Sequence, residues 1–143
     1  MEYKHTQIGY VTGTILLILG VGMLVAAPFA EDGLYILLSE GILFLMLTSI
    51  FSTLTIEIDQ YELKWHFGPI PIIKRSISRS DIKGIKKTKT KIIEGWGIHY
   101  TRRGWLYNIT GRDAVLIEKS DGSTLMIGTS NAAKLIQILG NRA

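Results

Sequence analysis

Cysteine is absent from this chain of 143 residues, which excludes disulfides, thiolate catalysis and cysteine metal sites. Proline is scarce, at Pro28, Pro69 and Pro71 alone, and neither a low-complexity linker nor an internal repeat is present. Histidine is equally sparse. His5, His66 and His99 lie far apart, with no carboxylate at ligand spacing, and give no metal-binding pattern. The chain also lacks a nucleophile elbow, a phosphate-cradling glycine loop and a dinucleotide-binding fingerprint, so no motif names a reaction. A local lack says more. Charge all but disappears from residues 10–27 and 34–54, two apolar stretches separated only by residues 28–33.

What is present follows from those stretches. A helix rises about 1.5 Å per residue, so roughly 20 apolar residues cross a hydrocarbon core of about 30 Å. The sequence therefore predicts two transmembrane spans, over about 10–28 and 34–54, forming a hairpin. A cleaved signal peptide ending near Val25-Ala26-Ala27 fits worse: its apolar region is too long, a second follows at once, and Pro28 would sit just after the cut. Lys4 and His5 precede the first span and many bases follow the second, whereas the connecting loop holds Glu31 and Asp32 and no base. By the positive-inside rule the protein is expected to be multi-pass with both termini cytoplasmic.

Residues 55–143 are enough for one compact cytoplasmic domain. Alternation predicts strands over 53–58 and 61–67, joined by a short turn at Asp59-Gln60. Further strands are predicted over 72–78, 82–91, 98–101, 105–110, 114–119 and 124–127. Gly68-Pro69, Pro71, Gly95-Trp96-Gly97 and Gly111 punctuate them, and Ser120-Asp121-Gly122-Ser123 marks a hairpin. The period then changes. Gly128-Thr129-Ser130-Asn131 offers N-cap oxygens, a helix follows over 132–139 with Leu135, Ile136 and Leu139 on one face, and Gly140-Asn141 ends it. The expected fold class is an α+β membrane protein, with a helical hairpin before an antiparallel β-barrel or sandwich of about seven strands plugged by a C-terminal helix.

That order carries a resemblance. Leu54-Thr55-Ile56 with Phe67-Gly68-Pro69, Ser80-Asp81-Ile82, Gly95-Trp96-Gly97-Ile98, Tyr107-Asn108-Ile109-Thr110-Gly111 with Ala114-Val115, and Ile127-Gly128-Thr129 are similar to short motifs of PH-like domains in bacterial and archaeal membrane proteins. The stretch that resembles them, about 54–139, covers nearly all of the soluble part. The resemblance implies a prokaryotic cell membrane, a binding role without enzyme activity or cofactor, and a homo-oligomer or an unidentified membrane protein as partner. Phosphoinositide-binding PH domains grip the headgroup with bases in the loop between their first two strands. Here that loop is Asp59-Gln60, short and acidic, so the resemblance does not extend to such a pocket.

Charge is the strongest functional signal. Lys74, Arg75, Arg79, Lys83, Lys86, Lys87, Lys89 and Lys91 crowd into eighteen residues opposed only by Asp81, a local net charge of +7 in a chain of net +4. In an extended strand Lys83, Lys87, Lys89 and Lys91 would share one face. Beside an anionic leaflet each such base contributes on the order of 1 kcal/mol. A solvated strand edge protected by Lys is the plainer reading, and a specific acidic partner another. Nucleic acid would also suit the charge, but no recognition motif accompanies it.

Glu40 lies inside the second apolar stretch. Intramembrane carboxylates are costly and often functional. A relay needs partners and neither stretch supplies one, which leaves the outer interface or a neighbouring subunit. Gly9 and Gly13 form G-x-x-x-G, with Gly20 and Gly22 further on, and permit close helix packing. Trp65, Trp96 and Trp105 fall in the soluble part: Trp96 is either a core residue at a strand start or a loop tip dipping into lipid. Arg102-Arg103-Gly104 is expected to turn a hairpin whose bases join the lipid-facing charge. The expected function is a non-enzymatic, membrane-anchored binding or scaffold module, its basic domain docked on anionic lipid headgroups or a protein. The alternative is an accessory subunit of a transport or envelope assembly with Glu40 at a subunit contact.

Overall fold

A strand precedes the first helix in the chain. In the computed structural model, which describes residues 2–140, Tyr3–Ile8 is strand β1, Tyr10–Ala26 is helix α1 with a 3-10 turn at Ala27–Phe29, and Leu34–Ile50 is helix α2. Strands β2 (Thr53–Ile58), β3 (Glu62–Phe67) and β4 (Ile73–Ser78) follow. After a 3-10 turn at Arg79–Asp81 come β5 (Ile82–Lys89), a second at Ile92–Glu94, and then β6 (Gly97–Thr101), β7 (Gly104–Asn108), β8 (Asp113–Lys119), β9 (Thr124–Gly128) and helix α3 (Ala132–Gly140).

The strands form two sheets, of order β1-β2-β3-β4 and β5-β8-β9-β7-β6. The first is antiparallel throughout; the second is mixed, because β7 and β9 run parallel. Period-2 alternation decides what faces inward. Leu54, Ile56 and Ile58 of β2 and Leu63, Trp65 and Phe67 of β3 meet Val115, Ile117 and Ile127 of the second sheet, and Leu135 and Leu139 of α3 complete this core. Gln7 of β1 binds the sheets together: its buried amide donates to the Gly128 carbonyl (2.8 Å) and accepts from the Ser130 N–H (3.0 Å).

The helices lie side by side outside that core. They pack where two glycines meet: a Cβ on Gly20 would come within 3.1 Å of the Gly41 carbonyl oxygen, and one on Gly41 within 2.8 Å of Leu24. Gly13 and Gly22 face open space, so the packing pair is Gly20 with Gly41, not the G-x-x-x-G. Outward, both helices show large apolar side chains, among them Ile18, Val25, Ile36 and Met46.

The expected fold class is corrected. Among the described residues only one helical stretch, Tyr10–Phe29 with its 3-10 turn, is long and apolar enough to cross a membrane; α2, at 17 residues, falls short, so a two-span hairpin is not supported. The helix stops at Ile50 because the following residues are claimed by the sheet: Thr53 and Leu54 pair with Ile8 and Gln7 on one side, and Leu54 with Phe67 on the other. In place of a barrel or sandwich of about seven strands, nine strands form a four-stranded and a five-stranded sheet. Eight of the nine lie on the segments predicted as strands; the ninth is β1, whose alternation in Tyr-Lys-His-Thr-Gln-Ile looked from sequence like the charged flank of a helix. The expected stop at Gly140-Asn141 involves Asn141, outside the described residues.

Candidate functional site

The pairing of β1 with β2 brings the start of α1 and the end of α2 to one end of the domain. Gly9 donates its N–H to the Ser52 carbonyl (2.8 Å) and packs on the Ile109 side chain. Gly68, in the β3–β4 connection, donates to the Thr53 carbonyl (2.9 Å) and lies against the backbone of Ser49 and Ile50. The β5–β6 connection is tied to the same region. Thr90 and Arg112 exchange hydrogen bonds, and the Asn108 amide donates to the Gly95 and Gly111 carbonyls beside Ile109.

Both connections expose aliphatic side chains. Ile70 and Ile72 flank Pro71 at 67% and 66% exposure, and Ile92 and Ile93 reach 81% and 92%. Trp96 is half exposed in the second connection, its indole N–H directed to the Gly111 carbonyl (3.4 Å). Sequence reasoning singled out Trp96 but missed the isoleucines. Of the four, only Ile72 fell inside a predicted strand; Ile70, Ile92 and Ile93 lay between the predicted elements and drew no reading.

The basic segment does not form one face. Lys74 and Arg75 lie exposed on β4, an edge of the first sheet, while Lys83, Lys86, Lys87 and Lys89 lie on β5, an edge of the second. The pairing of β5 with β8 shifts between Ile82 and Gly84, so Lys83 occupies a bulge and ion-pairs with Glu118 (3.2 Å). The strand ends at Lys89, and Lys91 opens the 3-10 turn with its N–H on the Glu94 carboxylate (2.6 Å). Of the four lysines expected on one side, Lys87 and Lys89 keep that relation. Arg79 stands apart: its side chain is only 10% exposed, pairs with Glu2 (2.6 Å) and donates to the carbonyls of Asp59 and Ile138. It is a staple between elements and not a lipid-facing base.

The Arg102–Arg103 pair also divides. Arg103 donates to Glu94 (2.9 Å), to the Lys89 carbonyl and to the Thr88 hydroxyl, whereas Arg102 is exposed. Burial alone would raise the Glu94 carboxyl, but the Lys91 N–H and the Arg103 charge outweigh it and hold its pKa below the ordinary value. Glu40 is exposed on α2 and has no hydrogen-bond or ion-pair partner among the described residues. No three His, Asp or Glu side chains among the described residues converge as a metal site.

A cleft of about 960 Å³ opens between the sheets, along β4 from Arg75 to Ser78 on one side and β7 and the β8–β9 hairpin on the other. Two aromatic pairs line it edge to face: Trp65 with Tyr107, both buried, at 5.1 Å, and Tyr100 with Trp105, at the rim, at 5.5 Å. Sequence spacing gave no hint of it, because its walls come from four separate stretches of chain. No protein-family model matches the chain, and no curated protein matches it.

Proposed function

We propose that this protein is a non-enzymatic membrane-anchored binding module, with the apolar stretch Tyr10–Phe29 in lipid and the domain held against an anionic leaflet. The observation that carries the reading is the shared end: the helix roots, the exposed isoleucines of two connections, and Lys74, Lys89, Lys91 and Arg112 beside them. Only 11% of the most apolar window of Tyr10–Phe29 is buried within the protein, which argues against a soluble core helix. Lipid is the solvent in which such a surface is stable. Ile70, Ile72, Ile92 and Ile93 would then enter the headgroup boundary, and the neighbouring bases would each add on the order of 1 kcal/mol from anionic lipid.

The test uses the full chain in nanodiscs, because residues 3–8 belong to the first sheet. Trp96, with Trp105 replaced by Phe, reports contact with lipids brominated near the headgroup. Quenching is expected to be stronger in phosphatidylglycerol mixtures than in pure phosphatidylcholine, and to weaken with salt and in Lys89→Glu/Lys91→Glu. Quenching that ignores lipid charge, salt and the double variant rejects electrostatic docking.

A second reading rests on Glu40. An exposed carboxylate on an apolar helix, with no partner among the described residues, favours a contact with another membrane subunit, in a homo-oligomer or as accessory to a larger assembly. Glu40→Gln should then reduce the assembly size measured in detergent; an unchanged size removes the basis for this reading.

A further inference from the structure

We propose that the cleft between the two sheets is a binding site for a small organic anion carrying a planar ring. Its volume, about 960 Å³, is at the upper end of small-molecule sites, and its lining is more polar than apolar: an aromatic floor below hydroxyl-bearing and charged side chains. The floor is Trp65 against Tyr107, and Trp105 with Tyr100 stands at the mouth, so a flat ring entering the cleft meets aromatic surface at both depths. Edge-to-face and offset contacts with such rings favour an aromatic guest over an aliphatic one of equal area.

The charge selects an anion. Arg75 reaches the cleft from the first sheet and Arg102 from the β6–β7 turn, and among the described residues neither has a carboxylate partner. Lys119 and Asp121 also line the cleft but pair with each other at 3.4 Å. Asp81 is the remaining acid, so the site keeps one net positive charge. Guanidinium groups recognise carboxylate and phosphate through paired N–H donors, and two on opposite walls suit an anion held between them. A further donor is waiting. The Trp65 indole N–H is buried and has no acceptor among the described residues, although buried donors are nearly always satisfied. An oxygen of the ligand would satisfy it.

The measurement is a titration of the full chain in nanodiscs with phenyl phosphate, followed by the indole N–H resonances of the three tryptophans. Inorganic phosphate supplies the anion without the ring, and benzyl alcohol the ring without the anion. Phenyl phosphate should move the Trp65 indole saturably, with either control weaker by about tenfold or more. Arg75→Gln and Arg102→Gln, both at exposed positions, should each weaken phenyl phosphate by about tenfold while leaving the Trp96 resonance in place as a check on folding. The proposal is overturned if the Trp65 indole shows no saturable shift, if either control binds as well as phenyl phosphate, or if both arginine variants keep the parent affinity.

Discussion

Single residues set how the domain responds to acid. Asp59 caps the β2–β3 turn: Lys64 donates to its carboxylate at 2.8 Å, as do the N–H groups of Tyr61 and Glu62. The Lys64 hydrogen bond, with those two N–H bonds, holds the Asp59 pKa far below its ordinary value, and the Ser123 hydroxyl and N–H lower Asp121 in the same sense. A carboxyl lowered on folding contributes stability above its unfolded pKa, near 4, and loses it as the pH falls through the folded value. Lys64, raised chiefly by Asp59, does the reverse: its contribution is complete below about 10.4 and disappears as the pH rises through its folded pKa. Thermal unfolding followed by tryptophan fluorescence should therefore show a plateau between about pH 5 and 9 that falls on both sides, and Asp59→Asn should shrink both losses. Gly104 is a second sensitive point. Its φ of +94° disfavours any side chain, and a Cβ there would overlap the Thr124 carbonyl, so Gly104→Ala should cost at least about 1–3 kcal/mol in a denaturant titration.

At the level of elements, β1 is the piece the sequence hid and the domain needs. Gln7→Ala leaves the Gly128 carbonyl and the Ser130 N–H without their buried partner, at a cost of about 1–3 kcal/mol in the same titration. In the helical pair, Gly41→Leu drives a side chain into Leu24 and should destabilise the protein by about 1–3 kcal/mol, whereas Gly13→Leu, in open space, should be near neutral. The later strands were legible because alternation is a local signal: Thr53–Ile58 was read to the residue, and α3 to within one. The sheets they join were not, since the parallel pairing of β7 with β9 and the bulge at Lys83 depend on residues far apart in the chain. The same holds for function. The apolar helices and the density of lysine were visible, but the burial of Arg79, the isoleucine-bearing connections and the cleft required chain segments to be brought together.

For the whole molecule, sidedness follows from strand pairing. Lys4 lies opposite Glu57 and ion-pairs with it at 2.8 Å, so the segment before α1 is on the same side of any membrane as the domain after α2. Because the chain has no native cysteine, Lys4→Cys and Asp121→Cys can be labelled singly in sealed vesicles with an impermeant maleimide, and both should react from the same side. Labelling from opposite sides would mean that β1 is not paired with β2 in the membrane. The pairing of Tyr3 with Ile58 also orders events during synthesis. The first strand leaves the ribosome early but has no partner until both helices have been made and the chain has turned back. The edge of β2 therefore closes only on a chain whose helices lie beside each other. The finished sheet is a record that the two helices came to lie side by side, and a chain that fails to turn back leaves an open β-edge for quality control to find.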